Sequence, residues 1–126
     1  MQIVAAGFAA LAALVHVYIF YLESLAWEAP ATRRTFGVTE AEARTTRPLA
    51  YNQGFYNLFL AVVTVAGIVA LGIDEAVGLA LLVAGTGSML AAALVLVTSD
   101  RSKARAALVQ GLFPLVSLVA VVATAL

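Results

Sequence analysis

The sequence predicts an all-α fold, a bundle of four membrane-spanning helices, and three observations carry that prediction. Hydrophobic residues make up 63% of the 126 positions. They gather into four stretches of about the 20 residues that a helix needs to cross the hydrocarbon core: Ile3 to Leu22, Gln53 to Gly72, Ala76 to Thr98, and Ala106 to Leu126. All seven basic residues lie between these stretches, Arg33, Arg34, Arg44 and Arg47 in the first connection and Arg101, Lys103 and Arg105 in the third. The only charges in the second connection are Asp74 and Glu75. Cytoplasmic loops collect Lys and Arg, so the first and third loops are expected inside, and both termini and the Asp74-Glu75 turn outside.

Taken in order, the first span has no basic residue before Arg33 and is too long for the apolar region of a signal peptide, so it reads as a retained helix. The loop from Glu23 to Asn52 is the one long connection. Tyr21, Trp27 and Tyr51 are residue types that settle at headgroup level, and Pro30 is expected to stop any helix running on from the first span. Thr39-Glu40-Ala41-Glu42 fits a capping box. It predicts a short surface helix from about Glu40 to Thr46, ended before Pro48. Small residues recur at helical spacing as Ala5, Ala9, Ala12 and Ala13 in the first span and as Ala80, Ala84, Ser88 and Ala92 in the third. Such faces let helices approach closely and are expected to point into the bundle. Gln53-Gly54 opens the second span and Gln110-Gly111 the fourth, which suggests a two-plus-two parallel repeat bringing the two glutamines together. Residues 1–126 then form a single integral membrane domain, with residues 23–52 as its cytoplasmic loop.

Composition excludes several classes of function. The chain has no cysteine, which rules out thiol redox catalysis, disulfide relay, iron–sulfur clusters and thiolate zinc sites. Its formal net charge is zero and its basic residues alternate with acidic ones, so nucleic acid is not an expected partner. The expected partners are the lipid bilayer, a small amphipathic ligand, and other copies of the chain in a homo-oligomer.

The polar residues inside or at the ends of the spans are the candidates for chemistry, because such groups are expensive in a membrane and usually line a cavity or a proton path. His16, the single histidine, continues the Ala5/Ala9/Ala12 face and so points inward. Glu23 lies seven residues on, a rise of about 10 Å, which suits the two groups to opposite ends of one ligand or to a short water chain. Gln53, Asn57 and Thr64 share one face of the second span, and Gln110 and Ser117 one face of the fourth. His16 and Glu23 are the catalytic candidates; Asn52, Gln53, Tyr56, Asn57 and Gln110 are the ligand-binding ones. His16 is expected to have Asn57 or Gln53 within reach of its ring. One histidine and one distant carboxylate do not make a zinc site, and no cofactor is singled out, although one axial histidine could hold a haem.

The segments His16-Val17-Tyr18-Ile19-Phe20-Tyr21-Leu22-Glu23 and Asn52-Gln53-Gly54-Phe55-Tyr56-Asn57, with Trp27, Phe36 and Gln110-Gly111, resemble a family of small bacterial integral membrane proteins catalogued as domain of unknown function 1304. The resemblance spans nearly the whole chain. It implies a four-span protein of the bacterial plasma (inner) membrane whose recurring polar positions fall at His16, Glu23, Asn52, Gln53, Tyr56, Asn57 and Gln110, and it brings no activity with it. The residues lead to a polar pocket on the cytoplasmic side that binds, and can transform, a small amphipathic or lipid-like molecule. The alternatives are a small proton-coupled transporter or channel, and a structural subunit of a membrane complex.

Overall fold

A backbone crossing hydrocarbon finds no water to bond with and must satisfy its own N–H and C=O groups, which leaves helices or closed barrels. This chain uses helices. The structure, a computed structural model, describes residues 1–125. It comprises α1 (Gln2–Phe20), which runs on as a π-helical turn (Tyr21–Leu25), α2 (Pro30–Phe36), α3 (Glu40–Ala70), α4 (Glu75–Ser99), a 3₁₀ turn (Arg101–Lys103) and α5 (Ala104–Ala125). No strand occurs among the described residues. The fourth expected span ended at Leu126, which lies outside them.

The four long helices form an antiparallel ring in chain order, α1 against α3, α3 against α4, α4 against α5, and α5 back against α1. The diagonal pairs barely meet. Two contacts define the ends of the ring. At one, the Gln2 side-chain amide donates to Glu75; at the other, Lys103 Nζ donates to the Phe36 carbonyl and ties the two basic connections together. All seven cations therefore sit at one end, and Asp74 and Glu75 at the opposite one.

Lipid supplies no hydrophobic drive for helices to associate, so small residues must let the backbones come close. On α1 the expected face, Ala5, Ala9, Ala12 and Ala13, is buried, and Ser117 of α5 donates to the Ala5 carbonyl at 2.9 Å. On α4 the expectation fails. Ala80, Ala84, Ser88 and Ala92 are exposed, and the buried face is Gly78, Leu82, Gly85, Thr86, Met89 and Ala93. Glycine explains the choice, since it admits a closer approach than alanine. A Cβ on Gly78 would lie 2.5 Å from the Leu71 nitrogen, and one on Gly85 3.2 Å from Thr64 Cα. Thr64 and Thr86, buried in the spans, avoid unpaired hydroxyls by bonding back along their own helices, to Leu60 and Leu82.

The long connection also departs from expectation. Thr39 and Glu42 form the capping box, but the helix it opens does not end before Pro48. It continues through the proline into the second span as one 31-residue helix, about 46 Å long against a hydrocarbon core of about 30 Å. Its first ten or so residues therefore stand outside the core. There the carbonyl freed by Pro48 can bond to water. Ala43 and Ala50 are buried on either side of the proline, so the helix keeps a packed face across it. The first helix already ends at Leu25, so Pro30 stops nothing and instead opens α2 at a position where its missing N–H does no harm. Gly37, at φ 67°, closes α2 in the left-handed region.

Close approach at Gly78 sets up a paired test. Gly78→Ala should destabilise the bundle by about 1–3 kcal/mol through overpacking. Gly87→Ala, where an added Cβ meets nothing within 4 Å, should be neutral or stabilise by up to about 1 kcal/mol. Thermal unfolding in detergent compares the two; equal shifts would refute glycine-limited contact between α3 and α4.

Candidate functional site

At its cationic end α1 widens into the π-helical turn Tyr21–Leu25, closed by the Ala26 N–H on the Tyr21 carbonyl at 3.0 Å. Short π segments inside α-helices are frequent at functional sites. The wider turn swings Glu23 off the line through His16 and toward α3, where Asn57 Nδ2 donates to Glu23 Oε2 at 2.9 Å. Gly54 makes the approach feasible, because a Cβ there would stand 2.9 Å from the Ser24 nitrogen. The Ser24 hydroxyl donates to the Tyr51 carbonyl at 2.8 Å and fixes the seam. Glu23 Oε1 has no hydrogen-bond partner among the described residues, and no cation lies within 4.0 Å of the carboxylate.

His16 is buried, at 1% exposure, on the α1 face that its spacing predicts. Its Nδ1 lies 2.9 Å from the Ala12 carbonyl. A carbonyl only accepts, so Nδ1 carries a proton, and in the neutral ring Nε2 presents its lone pair. Asn57, expected beside this ring, bonds Glu23 instead, and Gln53 is exposed.

The remaining candidates are dispersed. Asn52, Gln53 and Tyr56 lie on the exposed surface of α3, Tyr56 at 63%. Gln110 is half-buried on α5, and its side chain makes no hydrogen bond among the described residues. Because α3 and α5 occupy opposite corners of the ring, the two glutamines do not pair. The glycines that follow them share a role: Gly54 lets α3 meet α1, and Gly111, whose Cβ would sit 2.9 Å from that of Ala93, lets α5 meet α4. The Gln-Gly element therefore serves helix contact.

A cleft of about 270 Å³ opens beside Glu23, lined also by Ser24, Trp27, Glu28 and Arg47. Sequence reasoning missed the last three as site residues; the signal available was a tryptophan and two charges flanking a span end. Trp27 is held from two sides, its Nε1 on the Thr46 hydroxyl at 3.1 Å and its ring edge-on to Phe36 with centroids 5.0 Å apart. Arg47 reaches Glu28 at 3.5 Å. Lys103, which caps the C-terminal end of α2 at Phe36, is set by the 3₁₀ turn that Asp100 opens. The Ser102 hydroxyl and backbone N–H hold the Asp100 carboxyl below the usual carboxylate range. The Asp100 cap on the 3₁₀ turn is thus at full strength at neutral pH and weakens as pH falls through that lowered value. Among the described residues, no three His, Asp or Glu side chains converge on a metal position.

A protein-family profile described as "Protein of unknown function (DUF1304)" matches residues 10–122. The chain belongs to the DUF1304 family. The matched stretch contains His16, Glu23, Asn57, Arg47 and Gln110. No curated protein and no solved structure matches the chain. With four helices long and apolar enough to cross a membrane, this DUF1304 protein is a multi-pass membrane protein.

The two amide candidates on α3 should behave differently. Asn57→Leu removes the one donor to a half-buried carboxylate and should cost about 1–3 kcal/mol, whereas Gln53→Leu, on the exposed surface, should shift stability by less than about 0.5 kcal/mol. Unfolding of the two variants in the same detergent measures this. Equal losses would remove the special standing of the Glu23–Asn57 contact.

Proposed function

We propose that this DUF1304 protein binds a small amphipathic or lipid-like molecule at the cationic end of its bundle, with Glu23 and Asn57 as the polar anchor. The observation that supports this most is the state of Glu23. It is a carboxylate in the last turn of a span, joined to one amide and, among the described residues, unpaired with any cation, and it sits at the edge of a cleft. Ionisable side chains in spans are expensive and mark ligand or proton sites. His16, about 10 Å deeper along α1, offers the Nε2 lone pair as the group that exchanges a proton with the bound molecule. The cationic end faces the cytoplasm by the positive-inside rule, which puts the site within reach of lipid from the inner leaflet and of cytoplasmic solutes.

A second reading has its own observation. The exposed stripe Ala80, Ala84, Ser88 and Ala92 runs along the middle of α4 on the outside of the bundle, a face suited to another transmembrane helix. Under this reading the protein is a subunit of a homo-oligomer or a larger membrane complex. Ala84→Leu should then reduce in-membrane cross-linking without unfolding the monomer.

Native mass spectrometry on protein extracted in mild detergent tests the binding function. The wild type should carry an amphiphile whose occupancy falls in Glu23→Ala, and His16→Gln should change the masses of the bound species. Unchanged masses and occupancy in His16→Gln would assign His16 to helix contact, and a wild type carrying no amphiphile would sink the reading. Orientation has a separate check. Cysteines placed at Gln2 and Asp74 should react with an impermeant reagent in intact cells while one at Lys103 does not, and the reverse pattern would refute the cytoplasmic placement.

A further inference from the structure

The cleft beside Glu23 is chemically lopsided. Of its charged lining residues, Glu28 has Arg47 as a partner at 3.5 Å and Glu23 has none, so one carboxylate is in excess. Glu23 also keeps a free acceptor, since Asn57 occupies only Oε2. A half-buried carboxylate without a cation is unfavourable, and a bound positive group relieves that cost. A ligand that completes the site would bring a positive group with N–H donors. Trp27, clamped by Thr46 and Phe36, adds an aromatic wall of the kind that attracts cations.

Size and depth narrow the class. At about 270 Å³ the cleft is just below the roughly 300–1,000 Å³ typical of small-molecule sites, which suits a head group and leaves no room for acyl tails. Its lining follows directly on the last turn of the first span, at the level where tryptophan settles in a bilayer, so a tail would lie in the membrane alongside the helices. A primary ammonium offers three donors to Oε1 and its surroundings, whereas a quaternary ammonium offers none.

Resting on the binding function above, we propose that the molecule bound is an amphiphile headed by a primary ammonium, seated on the Glu23 carboxylate against Trp27. An aminophospholipid of the bilayer and a free long-chain amine share this head, and the experiment separates them. Full-length protein is exchanged into detergent containing acyl-matched phosphatidylethanolamine, phosphatidylcholine or phosphatidylglycerol, or dodecylamine, and retained amphiphile is read by native mass spectrometry.

The expected result is about tenfold greater retention of a primary amine than of the choline or glycerol lipid, the scale of one charge-assisted hydrogen bond. The preference should disappear in Glu23→Gln and persist in Glu40→Gln, which alters an exposed carboxylate paired with Arg44. Retention of phosphatidylethanolamine alone assigns the lipid source, of dodecylamine alone the free amine, and of both the ammonium head as sufficient. If Glu23→Gln does not fold, selectivity of the wild type decides. Equal retention of the three phospholipids, or a preference that survives in folded Glu23→Gln, overturns the head-group assignment while leaving amphiphile binding intact. Retention of no amphiphile overturns both.

Discussion

Helices in a membrane gain little by hiding apolar surface from one another, so this ring depends on how closely its backbones can approach. Glycine sets that distance at three of the four seams. Gly54 admits Ser24 where α3 meets α1, Gly67 and Gly78 admit Leu82 and Leu71 where α3 meets α4, and Gly111 admits Ala93 where α5 meets α4. The remaining seam, α5 on α1, is closed by alanines and by the Ser117 hydroxyl on the Ala5 carbonyl. Dispersion and single hydrogen bonds at short range do here what the hydrophobic effect does in water.

The candidate site follows from the same constraint. Because Gly54 draws α3 against the end of α1, Asn57 comes within hydrogen-bond distance of Glu23. The π-helical turn turns the carboxylate toward α3 and leaves the next residues free to break away at Ala26. Those residues then form the wall of the cleft, with Trp27 fixed between Thr46 and Phe36. Lys103, from the other basic connection, secures the C-terminal end of α2, so both connections support the same region.

Polar groups deeper in the bundle are treated differently. Thr64 and Thr86 bond within their own helices, and His16 turns Nδ1 to the Ala12 carbonyl. The two threonines are satisfied locally, the low-cost arrangement in a dry interior, and His16 is satisfied so at Nδ1 alone. Glu23, half-buried in the last turn of the first span, keeps Oε1 open among the described residues. That contrast, rather than the number of polar residues at the cationic end, distinguishes the site.

The sequence by itself determined the four spans, the gathering of cations at one end, the capping box at Thr39 and Glu42, and the inward face of α1 that carries His16. These are properties of one helix or one connection at a time, and composition and periodicity report them directly. Tertiary structure decided the rest. Two faces of α4 are small enough to pack, and only a neighbouring helix could select the glycine face over the Ala80/Ala84/Ser88/Ala92 stripe. Pro48 reads locally as a stop, yet the helix continues through it with Ala43 and Ala50 buried on either side. Helical spacing aligned Glu23 with His16, but a turn wider than an α-helix and a glycine on the opposite helix gave Glu23 to Asn57. Partners across helices depend on rotation and on distance between axes, and both are fixed where side chains of different helices meet, beyond what the periodicity of any single segment encodes.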